Sequence, residues 1–329
     1  MNWQVGLYVA AVLIPLAAFT VEILFIRQLK RLNAYIATGA IGLSCVLSAI
    51  GFLDYILEAD GVLAEHHAPA AAGPELGVEA GHEGAEAGHE GAEGGHEAHH
   101  EKPLVWQASY DWVLLGSPTS GAVDKYVNTP LSFPLGVYID SLSAVMFLMV
   151  TFIATLIHLY SIGYMHDDAR FPRFFAYLSL FCFSMLGLIA ASNVFMIFIF
   201  WELVGLCSYL LIGFWYEEKS NADAANKAFV TNRVGDVGML IGLGLLWTTL
   251  GTFNFQEISA GLHDATGLLN LANGVDGQSI VEFETPGAPV GAPARQIPYW
   301  MLTVAGLGIF AGCAGKSAQF PLHVWLPDA

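Results

Sequence analysis

Phe200-Trp201-Glu202-Leu203-Val204-Gly205-Leu206-Cys207-Ser208-Tyr209-Leu210-Leu211-Ile212-Gly213-Phe214-Trp215 is the stretch on which the reading of this chain turns. It sits inside an apolar run from Asn193 to Tyr216, about 24 residues, which at 1.5 Å each is long enough to cross a bilayer. A single carboxylate, Glu202, interrupts it about nine residues in, roughly 13 Å along the helix. A carboxylate at that depth costs on the order of 2.5 to 3.5 kcal/mol or more, so the side chain is expected to face protein or water and not lipid. Gly205, Tyr209 and Gly213 fall on the same helical face, where small residues let another helix approach closely.

The composition agrees with a polytopic membrane protein. Of 329 residues 55% are hydrophobic and only 12% charged, against about 25% charged in soluble domains. The formal net charge of −17 is concentrated in two non-membrane loops. With 12 Lys plus Arg and no basic patch, nucleic-acid binding is disfavoured. Cys45, Cys182, Cys207 and Cys313 all fall in apolar spans and none forms a CxxC pair, so they read as small packing residues, not as zinc or iron–sulfur ligands. The N-terminus is apolar for too long to be a cleavable signal and is read as a retained span.

Seven hydrophobic stretches are expected to span: Trp3–Ile26, Ala34–Leu57, Val137–Met165, Phe174–Ala191, Asn193–Tyr216, Ala224–Thr252, and Pro298 to the end. Three short connections hold seven of the twelve basic residues: Arg27, Lys30, Arg31, Arg170, Arg173, Lys219 and Lys227. The longer connections on the other side hold only Lys102, Lys125 and Arg295. The positive-inside rule then places the N-terminus outside and the Arg27–Arg31 turn in the cytoplasm. The chain divides into two N-terminal transmembrane helices (1–57), an extracytoplasmic loop (58–136), and a transmembrane domain (137–329).

Within the loop, a His/Glu/Gly low-complexity insert over about 66–102 repeats a seven-residue unit. Its His82, His89, His96, His99 and His100 beside carboxylates are candidate metal ligands. Without fixed geometry the insert reads first as a solvated segment. From Leu104 to Val137, short apolar runs broken by Gly116, Pro118, Pro130 and Pro134 predict a β-hairpin or irregular cap. Phe253–Ile297 is rich in Gly, Pro and acid and reads as an extracytoplasmic loop.

Ionisable residues inside spans are the functional candidates. Asn226, Arg233 and Asp236 occur at i, i+7 and i+10, on one helical face, and Arg233 and Asp236 form an i, i+3 pair. Lys316 lies near the middle of the last stretch, and Pro321 is expected to break the helix about one turn later, with apolar helix resuming over Leu322–Leu326. Lys316, Gln319 and His323 would then share a polar face beside a broken helix, a construction that lets transporters hold charge or water. Asp140 is expected to cap the third span. His158, deeper in that span, is a secondary candidate whose alternative is a structural histidine, and Glu22 and Asp54, near span ends, are expected to reach the interface. Burial moves a carboxyl and an amine toward neutrality, so Glu202 and Lys316, if close, could exchange protons as a switch.

The motifs Trp201–Phe214, Lys227–Asp236 and Gly315-Lys316-Ser317-Ala318-Gln319-Phe320-Pro321-Leu322-His323-Val324-Trp325-Leu326-Pro327-Asp328-Ala329 closely resemble the antiporter-like membrane-arm subunits of the bacterial proton-pumping NADH:quinone oxidoreductase (respiratory complex I), the subunit L type. The resemblance implies an all-α antiporter-like bundle with inverted five-helix repeats and a discontinuous helix near residue 316. It implies proton translocation through Glu202, Lys316, Arg233 and Asp236, with His158 and His323 secondary. It further implies that NADH, FMN, iron–sulfur clusters and quinone belong to partner subunits, and that no cofactor binds this chain. The implied partners are other membrane-arm subunits, above all a neighbouring antiporter-like one, and the implied location is a bacterial inner membrane. Members of the family continue past the Leu-Pro-Asp-Ala motif, so the 329 residues are expected to be about half a subunit.

The large subunit of a multisubunit Na⁺/H⁺ antiporter shares the Trp-Glu and Gly-Lys-Ser motifs, but is usually Gly-rich and uncharged where this chain has Asn232-Arg233-Val234-Gly235-Asp236. A hydrogenase-linked membrane-arm subunit is a further alternative. A passive membrane scaffold, with the buried charges as clasps, is the reading from a different class. No GxGxxG follows a strand, which argues against NADH or flavin binding here.

Overall fold

The computed structural model describes residues 2–67, 104–115, 131–263, 271–273, 279–283 and 295–329. Its helices run α1 (Trp3–Leu24), α2 (Ile26–Leu29), α3 (Leu32–His67), α4 (Ser141–Tyr164), α5 (Phe171–Ala190), α6 (Val194–Ile212), α7 (Lys219–Leu250), α8 (Phe255–Leu262) and α9 (Tyr299–Lys316). Two small sheets accompany them: β1 (Trp106–Leu115) with β2 (Leu131–Ile139), and β3 (Leu271–Asn273), β4 (Ser279–Phe283) and β5 (Arg295–Pro298).

Among the described residues six helices, α1 and α3 to α7, are long and apolar enough to cross a membrane, one fewer than the sequence led us to expect. The seventh stretch forms α9, an 18-residue helix diluted by four glycines and ended by Lys316. Helices α1, α3, α4 and α5 form a bundle, and α6, α7 and α9 extend from α5 in a row, with α7 between α6 and α9. The bundle core holds Val5, Tyr8 and Ala11 of α1, Ile41 of α3, Phe147 of α4 and Leu186 of α5.

The expected hairpin is present. β1 and β2 pair antiparallel from Trp106↔Ile139 to Leu115↔Leu131, with a bulge between Asp111 and Val113. It is fastened to α3, because Trp106 donates its indole N–H to Glu58 at 3.1 Å and Tyr55 donates its hydroxyl to the Leu104 carbonyl at 2.7 Å. These attachments flank Leu57, where the span was expected to end, and α3 continues as helix to His67. Asp140 caps α4 by accepting from the Ser143 amide at 2.8 Å, and Asn193 caps α6 through Met196. On the opposite side, Asp168 accepts from the Trp215 indole at 2.7 Å and Arg170 pairs with Glu217 at 2.9 Å, joining the α4–α5 turn to the end of α6. The indole donor, aided by the Arg170 amide, holds the Asp168 carboxyl below the ordinary carboxylate value.

The segment read as a plain loop, Phe253–Ile297, contains α8 and the three-stranded sheet. Phe283 and Ile297 are buried with Leu250 of α7. The strands are three to five residues long, too short for alternation to reveal them. The histidine repeat, His82 to His100, lies outside the described residues.

Candidate functional site

Three helices bring the charged residues of their spans together. From α6, Trp201, Glu202 and Gly205 face α7; from α7 come Asn232, Arg233 and Asp236; α9 ends on Lys316. The Arg233 guanidinium pairs through Nη1 with Glu202 Oε2 and lies 3.6 Å from Asp236 Oδ2, so one cation bridges two carboxylates. It also lies over the Phe229 ring, 4.5 Å from its centroid. Asp236 is buried and accepts from the Trp201 indole N–H at 2.8 Å. The Lys316 ammonium lies 5.7 Å from the centre of that same indole and has no hydrogen-bond partner among the described residues. Asn232 is buried beside the pair with its Oδ1 likewise unpartnered.

Gly205 makes this assembly possible. A Cβ on it would lie 2.5 Å from Lys316 Nζ and 3.0 Å from Arg233 Nη2, so the two cations occupy the space a side chain would fill. Immediately before Asp236, Gly235 lets the backbones of α7 and α9 touch: its Cβ would fall 2.7 Å from the Ala311 carbonyl oxygen. Small-residue spacing along both helices (Gly238 and Gly242 opposite Gly308 and Gly312) is the sequence signal for this seam, one that the charged motif overshadowed.

Two sequence expectations about the cluster change. Glu202 takes its ion pair from Arg233, not from Lys316; α7 lies between α6 and α9, and the long planar guanidinium reaches both carboxylates. The polar face of Lys316, Gln319 and His323 does not form, because the α-helix ends at Lys316 and does not resume over 322–326. Pro321 forbids helix at this distance, since its ring collides with the carbonyl four residues back, at Ser317. Ala318 turns into the left-handed region (φ 50°), Trp325 donates to the Gly315 carbonyl at 3.0 Å, and a short 3-10 turn covers Leu326–Asp328. His323 is exposed, its ring 5.8 Å from that of Phe320, and no described hydrogen bond or ion pair joins it to the cluster. The helix end also places the Lys316 cation at the negative pole of α9.

His158 is fully buried, its Nδ1 2.7 Å from the Ala154 carbonyl and its Nε2 without a partner, in a different helix contact beside Phe175. Glu22 was expected at the interface; instead it is completely buried, because α5 covers the end of α1 and Ser179 donates to its Oε1 at 3.3 Å. Asp54 is half-buried, with one oxygen unpartnered.

Below the cluster, a cavity of about 240 Å³ is lined by Arg173, Tyr177, Tyr209, Gly213, Tyr216 and Asn226. Tyr209 follows Glu202 by two helical turns and Asn226 precedes Arg233 by two, so the cavity floor lies about 10 Å from the charges along each helix. The Tyr209 and Phe229 rings meet at 5.4 Å between the two.

Residues 191–329 match the family described as the NADH:quinone oxidoreductase/Mrp antiporter transmembrane region. Residues 126–175 match the NADH-ubiquinone oxidoreductase (complex I) chain 5 N-terminus. NAD(P)H-quinone oxidoreductase subunit 5 of the Chlorokybus atmophyticus chloroplast is 46% identical over 213 residues, 64% of this chain and 30% of the relative. NAD(P)H-quinone oxidoreductase chain 5 of Synechocystis is 48% identical over 196 residues, 59% of this chain and 25% of the relative. The chain thus spans about a quarter to a third of the length of the curated relatives it matches. Among solved structures, an archaeal membrane-bound sulfane sulfur reductase complex is similar in fold, with a TM-score of 0.61 at 16% identity over 98% of this chain and 47% of that one. The Mrp complex of a Dietzia species gives 0.59 at 18% identity, over 98% of this chain and 25% of that one.

Proposed function

We propose that this chain, an antiporter-like membrane subunit of the complex I chain 5 family, moves protons through the Glu202–Arg233–Asp236–Lys316 cluster while partner subunits carry out the redox chemistry. The observation that carries the proposal is the Lys316 ammonium, without a hydrogen-bond or ion-pair partner among the described residues and held beside a guanidinium that is itself shared between two carboxylates. Such an arrangement has two near-balanced states. With Arg233 on Glu202, Lys316 and Asp236 are left to each other; with Arg233 drawn to Asp236, Glu202 loses its counter-charge and takes up a proton. A unit charge arriving about 10 Å away, at an effective dielectric of about 20, contributes about 1.7 kcal/mol, or roughly one pH unit of bias. That is enough to tip a balanced pair.

The cavity lined by Tyr209, Asn226 and Arg173 supplies water from the side of the basic turns, which the positive-inside rule makes cytoplasmic. Tyr209 and Phe229 stand between that water and Arg233. Both carboxylates are already engaged by guanidinium or indole donors, which suits a proton better than a sodium ion needing several free oxygens. Glu202 and Arg233 keep about 29% of their side-chain surface exposed, and a neighbouring antiporter-like subunit or further helices of the same subunit would close that face. NADH, FMN, iron–sulfur clusters and quinone are assigned to partner subunits, and the membrane to a bacterial inner membrane.

The test is proton uptake by inverted vesicles holding the intact complex with Lys316→Ala or Glu202→Gln. Retained assembly and quinone reduction with lost or strongly reduced proton uptake is the expected result. Normal pumping in both variants, or loss of assembly as the only defect, would return the cluster to a structural clasp.

A further inference from the structure

The cavity below the cluster, on the side of the basic turns, is lined by hydrogen-bond donors and by no carboxylate. Arg173 and Tyr177 come from α5, Tyr209 from α6, Tyr216 from the turn after α6 and Asn226 from α7; the rest of the lining is apolar. Among the described residues the Arg173 guanidinium, the Tyr177 and Tyr209 hydroxyls and the Asn226 amide have no hydrogen-bond partner. The guanidinium lies over the Tyr216 ring, 5.9 Å from its centroid. No described ion pair joins it to a carboxylate. Asp168 accepts from the Trp215 indole at 2.7 Å and the Arg170 amide at 2.6 Å, and Glu217 pairs with Arg170 at 2.9 Å. Glu218 and Asp223 are exposed and do not line the cavity. Arg173 also stands in the first turn of α5, a 20-residue helix with no acidic residue there. The positive pole of the helix therefore adds to its charge and does not balance it.

This donor set has the chemistry of an oxyanion site. A guanidinium fork matches phosphate oxygens two at a time, and phenol and amide groups from three helices can donate to the others. The volume of about 240 Å³ equals that of about eight liquid waters, room for a phosphate group but not for hydrocarbon chains. A chain has a place outside it. On α6, Leu210 at the cavity, Leu206 one turn deeper and Ile199 two turns further on share one face. Leu206 and Ile199 are exposed, so the face forms an apolar stripe from the cavity toward the hydrocarbon.

We propose that this cavity is a phosphate-binding site, with Arg173 as its cation and Tyr177, Tyr209 and Asn226 as donors. The phosphate comes from the headgroup of an anionic phospholipid in the leaflet at the basic turns, or from free inorganic phosphate. Basic pockets between helices at that level attract anionic headgroups, and the stripe on α6 receives an acyl chain of the lipid. The site stands on the cavity's own side chains and is independent of the roles given to Glu202 and Lys316.

Phenylglyoxal modification of the intact, delipidated complex tests it, because peptide mass spectrometry reads the reaction at each arginine. Arg173 is expected to react, and micelles containing phosphatidylglycerol are expected to slow its modification about tenfold. Exposed Arg27 serves as the control and is expected to stay unprotected. Diacylglycerol with the same chains is expected to give no protection. Protection by millimolar inorganic phosphate equal to that by the lipid would uphold the site with the free ion as its occupant, and protection by the lipid alone would uphold it with the headgroup. Tyr177→Phe and Asn226→Ala are each expected to raise the phosphatidylglycerol needed for half-protection about tenfold, and either serves where the other does not fold. Arg173 protected no better than Arg27 by lipid and by phosphate, or protected equally by diacylglycerol, would overturn the proposal. Proton pumping does not enter the readout, so this site and the proposed pathway fail independently.

Discussion

Replacing Gly205 with alanine separates a functional cluster from a structural one. The new methyl would sit 2.5 Å from Lys316 Nζ and 3.0 Å from Arg233 Nη2, where ordinary contact begins at 3.4 Å. The ammonium must therefore retreat by about 0.9 Å and the guanidinium by about 0.4 Å. Both displaced atoms end flexible side chains, so the helices themselves need not move. Alanine also gains about 0.5–1 kcal/mol over glycine within a helix, which offsets much of the crowding. The fold should survive, with a stability change within about 1 kcal/mol. Proton transfer is less forgiving, because a 1 Å misplacement of reacting groups costs up to about 100-fold. We expect inverted vesicles carrying Gly205→Ala to contain normal amounts of assembled complex yet acidify about 10 to 100 times more slowly. Fluorescence quenching of a pH-sensitive dye measures the second quantity and blue-native electrophoresis the first. Wild-type acidification per assembled complex would refute the reasoning, since it would mean that the position of the Lys316 ammonium is immaterial.

The companion change, Gly235→Ala, should do the reverse: its methyl meets the Ala311 carbonyl at 2.7 Å, backbone that cannot swing away. A loss of about 1–3 kcal/mol and of assembled complex is expected, read from thermal unfolding in detergent. Trp201→Phe removes the indole donor from buried Asp236 and should cost about 1.5–3 kcal/mol by the same measurement, with pumping reduced because Arg233 is drawn toward Asp236. At the α4–α5 turn, the Trp215 indole donor and the Arg170 amide hold Asp168 below its ordinary value of 3.8. A carboxyl with a lowered folded-state value contributes stability above its unfolded value and loses it as pH falls through the folded one. The Trp215–Asp168 contact should therefore be unchanged between about pH 5 and 8 and open only below about pH 4, as followed by Trp215 fluorescence against a Trp215→Phe control.

The membrane character, the hairpin and the charged residues were legible because each leaves a mark at short range. Apolar length marks α1 and α3 to α7, short apolar runs broken by Gly116, Pro118, Pro130 and Pro134 mark β1 and β2, and a carboxylate in an apolar run marks Glu202. The end of α9 was misplaced by about a turn, because the steric reach of Pro321 extends back to Ser317 and not only forward. The strands over 271–298 were missed because runs of three to five residues between glycines and prolines carry too little pattern.

What sequence alone determined is which residues the bilayer cannot solvate. Glu202, Arg233, Asp236 and Lys316 stand in apolar helices, and the cost of leaving any of them to lipid demands a partner whatever the packing. Which partner each one found was decided only by the tertiary structure. Placing α7 between α6 and α9 gave Glu202 to Arg233 and left the lysine without a hydrogen-bond partner among the described residues, while α5 sealed Glu22 at what looked like a span's edge. Depth in the membrane follows from position along one helix, but enclosure depends on the neighbours that surround it.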